Sequence, residues 1–145
     1  MKANELMIGD WVTYGYFHYE TGEPIEKVFQ VTQIEAESGE YYVWDKDGRV
    51  CTPDLLGGIR ISPYILQNNG FDLVEVGDNG ASTPPQFRDR FEKWLLRTTW
   101  KDVVLWYDRL ANYYNLDAMP TARLHYFHEL QHALRLCGIE KEIEL

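Results

Sequence analysis

Between Trp11 and Tyr19 the side chains alternate. Trp11, Thr13 and Gly15 fall on one side of an extended backbone, and Val12, Tyr14 and Tyr16 on the other. Aromatic and β-branched residues at period two predict a strand. Glu20–Pro24 (ETGEP) predicts a loop. KVFQVTQIE predicts a second strand, with Val28, Gln30, Thr32 and Ile34 on one face and Phe29, Val31 and Gln33 on the other. YYVWD predicts a third, Asp45–Gly48 (DKDG) a hairpin turn, RVCT a fourth strand and GGIRI a fifth. Four or five short strands within about 60 residues are the pattern of a small antiparallel barrel of SH3-like type.

The pattern then changes. Ser62 is suited to cap a short helix and Pro63 to occupy its first turn, with Asn69 and Gly70 ending it. Gly77–Pro85 (GDNGASTPP) is the strongest linker signal. Residues 86–116 fit two periods. Phe87, Phe91, Trp94, Leu95 and Thr98 recur at helical spacing, whereas KWLLRTTW and DVVLWYD are rich in strand formers. The expectation is a helical start near Pro85 and strand character around Val103–Tyr107. A helix is predicted over residues 121–137, capped by Thr121 and closed by Gly138, with IEKEIEL as a short edge strand. The fold class read from these elements is α+β. A barrel and short helix occupy residues 1–76, and a mixed region ending in an amphipathic helix occupies 77–145, as two domains or one continuous domain.

Composition adds bulk: five Trp, ten Tyr and six Phe in 145 residues supply a core and argue against disorder. Charge adds asymmetry. Residues 1–80 carry 14 acidic and 5 basic side chains, and residues 81–145 carry 9 of each. The net charge of −9 disfavours nucleic-acid binding and favours solubility or a basic partner. The N-terminal MKANELMIGDW has no signal-peptide run, and no segment reaches the roughly 20 apolar residues of a membrane span. Two separated cysteines, Cys51 and Cys137, fit reduced thiols in the cytoplasm.

The candidate chemistry sits at residues 128–132, HELQH. On a helix, Phe127, Leu130, Leu134 and Cys137 fall within about 80° of arc, and His125, His128 and His132 within about 60° on the opposite side. The spacing lets His128 and His132 place ring nitrogens about 2.1 Å from one zinc ion, with Glu129 as general base. In this respect the stretch resembles the zincin metallopeptidases. The third ligand is missing from their pattern: Arg135 stands where metzincins need glycine, and no histidine follows His132. The expectation is therefore no cofactor, zinc being the alternative, and a polar helix face that meets solvent or a partner. Tyr14, Tyr16 and His18 form a second candidate interaction surface, for a peptide or for stacked bases. FRDRFEKWLLR carries Arg88, Arg90, Lys93 and Arg97 interleaved with Asp89 and Glu92, the pattern of a solvated helix face with i, i+4 pairs.

Three segments carry a resemblance: MKANELMIGDWV, GGIRISPYILQNNGF and YFHELQHALRLCGI. In this order they resemble landmarks of a group of small uncharacterised proteins from Bacteroides-type bacteria, their prophages and their mobile elements. The group's closing helix has the form YVHQLQN or YVHQLQH. The resemblance implies that the position of Glu129 is often Gln and that of His132 often Asn. Gln is no general base and Asn a poor zinc ligand. The resulting expectation is a non-enzymatic accessory protein acting through protein–protein contact. A zinc metallopeptidase is the first alternative, and a binder of single-stranded nucleic acid through the aromatic strand is the second.

Overall fold

The computed structural model describes every residue except 78–88, 100 and 140. The chain forms two compact units. Met1–Arg60 and Tyr126–His128 make the first, and Ile61–His125 and Glu129–Leu145 the second. Both are built of antiparallel strands, and the described residues also include two α-helices, so the class is α+β. The boundary expected after residue 76 falls in a strand of the second unit.

The first unit contains β1 (Trp11–Phe17), β2 (Pro24–Gln30), β3 (Gln33–Glu37), β4 (Glu40–Trp44), β5 (Val50–Cys51) and β6 (Leu56–Gly58). They form two three-stranded sheets, ordered β2-β1-β6 and β3-β4-β5. No closed barrel is found among the described residues. The segment KVFQVTQIE, expected as one strand, divides at Val31–Thr32. The Val31 N–H donates to the Asp10 carbonyl at 2.8 Å, and the Thr32 N–H to the Trp44 carbonyl at 2.8 Å. Adjacent residues thus serve different ladders, and the chain bends from one sheet into the other. Between β3 and β4, Ser38 and Gly39 have φ of 54° and 88°, the paired positive angles of a type I′ hairpin. Leu6, Val12, Phe29, Val31, Val43, Cys51 and Leu56 form the core, with Met1, Tyr14 and Ile34 packed against it.

The second unit begins with α1 (Pro63–Asn68), where the Ser62 hydroxyl accepts from the Ile65 N–H at 3.3 Å, as its position before Pro63 predicts. A five-stranded meander follows: β7 (Phe71–Gly77), β8 (Phe91–Leu96), β9 (Val103–Asp108), β10 (Tyr113–Leu116) and β11 (Met119–Leu124). Its rows run across the strands, one of them Leu73–Trp94–Leu105–Leu116. Trp94, Leu105 and Leu116 are buried. In the neighbouring row Tyr107 and Tyr114 stack with ring centroids 4.4 Å apart.

Three expectations are corrected here. Residues 91–96 are strand, not part of a helix, because the buried positions are Glu92, Trp94 and Leu96 at period two. The helix expected over 121–137 is shorter: α2 spans Phe127–Leu136, and residues 121–124 belong to β11. Pro120 is tolerated there because β11 is an edge strand. The basic cluster forms cross-strand pairs in place of helical ones. Arg90 holds both carboxylate oxygens of Asp108 at 2.9 and 2.6 Å, and Arg109 Nε donates to Glu92 at 2.7 Å. The linker beyond Gly77, the helical start near Pro85 and Arg88 lie outside the described residues.

The closing segment IEKEIEL forms no regular strand among the described residues. The side chain of Asn69 nonetheless treats it as one. Its Nδ2 donates to the Glu144 carbonyl at 2.7 Å and its Oδ1 accepts from the Glu144 N–H at 2.8 Å. Lys141 Nζ adds a bond to the Asn69 carbonyl. Asn69 and Ile143 are both buried.

Candidate functional site

The HELQH stretch straddles the two units: His128 belongs to the first, Glu129 and His132 to the second. Glu129 sits in the first turn of α2, and its Oε2 accepts from the backbone N–H of His125 at 2.6 Å. The bond reaches back past the helix start and ties the first turn of α2 to the residue that precedes its N-cap. The residue in the general-base position of the zincin spelling therefore serves as a helix-start acceptor. His125 lies before the helix. Its Nδ1 is 3.1 Å from the Asn112 carbonyl, and its ring meets Tyr113 edge-on at 6.1 Å.

The shared histidine face is corrected by burial. His128 is only 5% exposed, whereas His125 and His132 are half-buried. In the first unit the His128 ring stacks on Tyr126, with centroids 5.8 Å apart and planes 11° from parallel. The Arg60 guanidinium lies 4.8 Å from the centroid of that same tyrosine ring. Gly58 makes this arrangement possible: a Cβ there would overlap the Tyr126 ring, 2.6 Å from its Cγ. Among the described residues no three His, Cys, Asp or Glu side chains are grouped so as to hold a metal ion. Of the two free cysteines, Cys51 is buried, and desolvation pushes its thiol up to about 11. That opposes thiolate formation and a nucleophilic role at neutral pH.

The second candidate surface lies on β1 and β2. Val12, Tyr14 and Tyr16 share one face of β1, opposite Phe29, Lys27 and Ile25 of β2. Val12 and Phe29 are buried at 0% and 3% exposure, so this end of the face is core. The face then continues outward as a shelf. Tyr14 and Tyr16 are half-buried with ring centroids 5.4 Å apart, and Tyr14 is 6.4 Å from Phe29. With Lys27, Val28 and Arg49 these rings line a cavity of 190 Å³. His18 does not join them. Its Nδ1 accepts from the Glu20 and Thr21 N–H groups at 3.3 and 3.4 Å, fixing the β1–β2 turn.

Tyr14 and Tyr16 are thus brought together as the aromatic alternation suggests, whereas Lys27, Phe29 and Arg49 are contributed by other segments. The signal for Lys27 is the hairpin register, which sets it opposite Tyr14. The wider concavity of 720 Å³ on this unit has Lys2, Glu40 and Asp54 among its lining residues, so it carries no single charge preference. No family model, curated protein or solved structure matches the chain.

Proposed function

We propose that the protein is a non-enzymatic interaction protein whose N-terminal unit is an SH3-like module holding a segment of a partner protein on the Tyr14–Tyr16 shelf. The observation that carries this reading is the shelf: an apolar strand face that continues past its own core and ends in two half-buried tyrosine rings, Tyr14 beside Phe29 and Tyr16 beside Tyr14. Tyrosine joins a large apolar surface to a polar tip at low conformational cost, which suits a surface that is wet when free and covered when bound. The SH3-like part is supported by strand order. A long hairpin is followed by a strand bent between two sheets, two short hairpin-linked strands, a 3-10 turn at Pro53–Leu55 and a last strand that returns to β1. The three landmark segments support a place among the accessory genes of a phage or mobile element. The free Cys51 and Cys137 fit a cytoplasmic protein.

The test is selection of random dodecapeptides displayed on phage against the full chain, with Tyr16→Ser in parallel. Sequence-related peptides are expected, binding at least about tenfold more weakly to the variant, as for an interface tyrosine. If no peptide is selected and single-stranded DNA at low salt is retained instead, nucleic-acid association replaces this reading.

A further inference from the structure

We infer that the shelf selects a peptide segment bearing one carboxylate beside a proline or aromatic ring. This rests on the reading of the shelf as a peptide-binding surface and adds the chemistry of its ligand. The register sets Lys27 directly across from Tyr14, and Lys27 Nζ lies 5.8 Å from the centroid of the Tyr16 ring. That is within the range at which a ring face holds an ammonium group, so the charge is stationed at the edge of the cavity. Arg49, the other cation lining the cavity, is balanced locally by Asp45 at 3.6 Å and Asp47 at 3.3 Å. Among the described residues Lys27 has no carboxylate partner.

The available positive charge of the site is therefore one ammonium, beside two tyrosine rings and Phe29. An anionic group on the ligand gains from Lys27, and a flat apolar group gains from the rings. The count of charges narrows the partner further. The unit that carries the shelf, residues 1–60 with 126–128, has 11 acidic and 5 basic side chains. A polyanion such as nucleic acid, or a run of acidic residues, is repelled by that field. A single Asp or Glu with neutral or basic flanks keeps the local attraction without the wider repulsion.

The experiment compares the dodecapeptide pools selected on full-length parent, Lys27→Glu and Lys27→Met proteins. Lys27 is exposed, and thermal unfolding of the variants checks that they remain folded. The parent pool is expected to carry one Asp or Glu next to Pro, Tyr, Phe or Trp. The Lys27→Glu pool should carry Lys or Arg at that place, and the Lys27→Met pool no charge preference. In the tightest parent binder, Glu→Gln or Asp→Asn should weaken binding about tenfold. A parent pool whose binding is lost in Tyr16→Ser but which shows no acidic position, or one unchanged by Lys27→Glu, overturns this inference and leaves the interaction reading standing. Failure to select any peptide overturns both. Retention of single-stranded DNA that is lost in Lys27→Glu overturns the choice of a carboxylate in favour of a phosphate.

Discussion

At position 129 a carboxylate has two readings that differ by one measurement. As a helix-start acceptor it needs only an oxygen near the His125 N–H, which a glutamine amide also supplies; as a general base it needs the charge and basicity of the carboxylate. Glu129→Ala should lower stability by about 1 kcal/mol in urea unfolding, and Glu129→Gln by a smaller amount. Equal losses in the two variants would contradict the capping role. Elemental analysis of untagged protein should return far less than one zinc per chain, in the parent and in His132→Asn alike; near-stoichiometric zinc lost in the variant would restore the metallopeptidase. The letters of HELQH are legible in the sequence, and their roles are not. The His128 environment depends on Gly58, Arg60 and Tyr126, two of which lie more than sixty positions upstream.

Asp108 supplies a pH-dependent counterpart at the same scale. The hydrogen bonds from Arg90 hold its carboxyl below the usual carboxylate range. The Ala111 and Leu110 N–H groups assist, and burial opposes them. A group whose folded pKa is depressed adds stability above its unfolded pKa and loses it as the pH falls through the folded one. The contribution is therefore complete at neutral pH, begins to fall below about pH 4 and is lost as the pH drops through the depressed folded value. Asp108→Asn should be less stable than the parent at neutral pH, with the two stability curves converging in acid. Parallel curves would remove Asp108 as the titrating group.

At the scale of elements, the legible strands are those dense in aromatic and β-branched residues, as in Trp11–Phe17 and Glu40–Trp44. β8 was obscured because its buried face opens with Glu92, whose charge is answered by Arg109 on the next hairpin and by the Trp94 indole N–H at 3.1 Å. A buried acid reads as surface until its partner is known. β7 is hidden in the sequence for a different reason: its register shifts between Leu73 and Glu75, which breaks the alternation. The Asn69–Gly70–Phe71 segment was legible as a helix end, but not as a clamp. Asn69 gives its whole amide to backbone, Nδ2 to Ile65 and both Nδ2 and Oδ1 to Glu144, 75 residues away. Asn69→Ala should cost about 1–3 kcal/mol, since it removes the three side-chain hydrogen bonds that a buried residue makes to the backbone of Ile65 and Glu144. It should also speed carboxypeptidase trimming of the last residues. Unchanged trimming would mean that burial of Ile143 alone holds the tail.

For the whole molecule, local patterning places most strands of the first unit but not how the chain closes that unit. The expected barrel is built from consecutive residues only. The observed first unit takes three residues from the far end of the chain. The Phe127 N–H donates to the Ile59 carbonyl at 2.7 Å, Arg60 bridges to Tyr126 as in an antiparallel pair, and the Tyr126 ring covers Gly58. These contacts fall on and just beyond β6, a strand of only three residues whose other neighbour is β1. A fragment of residues 1–60 retains the core cluster of this unit but loses the cover over its last strand. Such a fragment should unfold at lower temperature than the full chain, and its amide exchange should rise first at Leu56–Gly58, since short strands with exposed hydrogen bonds open at the lowest free energy. Gly58→Ala in the full chain offers the matching perturbation without truncation. Its Cβ must displace the Tyr126 ring, at a cost of roughly 1–3 kcal/mol, and should accelerate exchange at the same amides. If the fragment protects Leu56–Gly58 as well as the full chain does, residues 126–128 are passengers on the first unit, and consecutive sequence is enough to fold it.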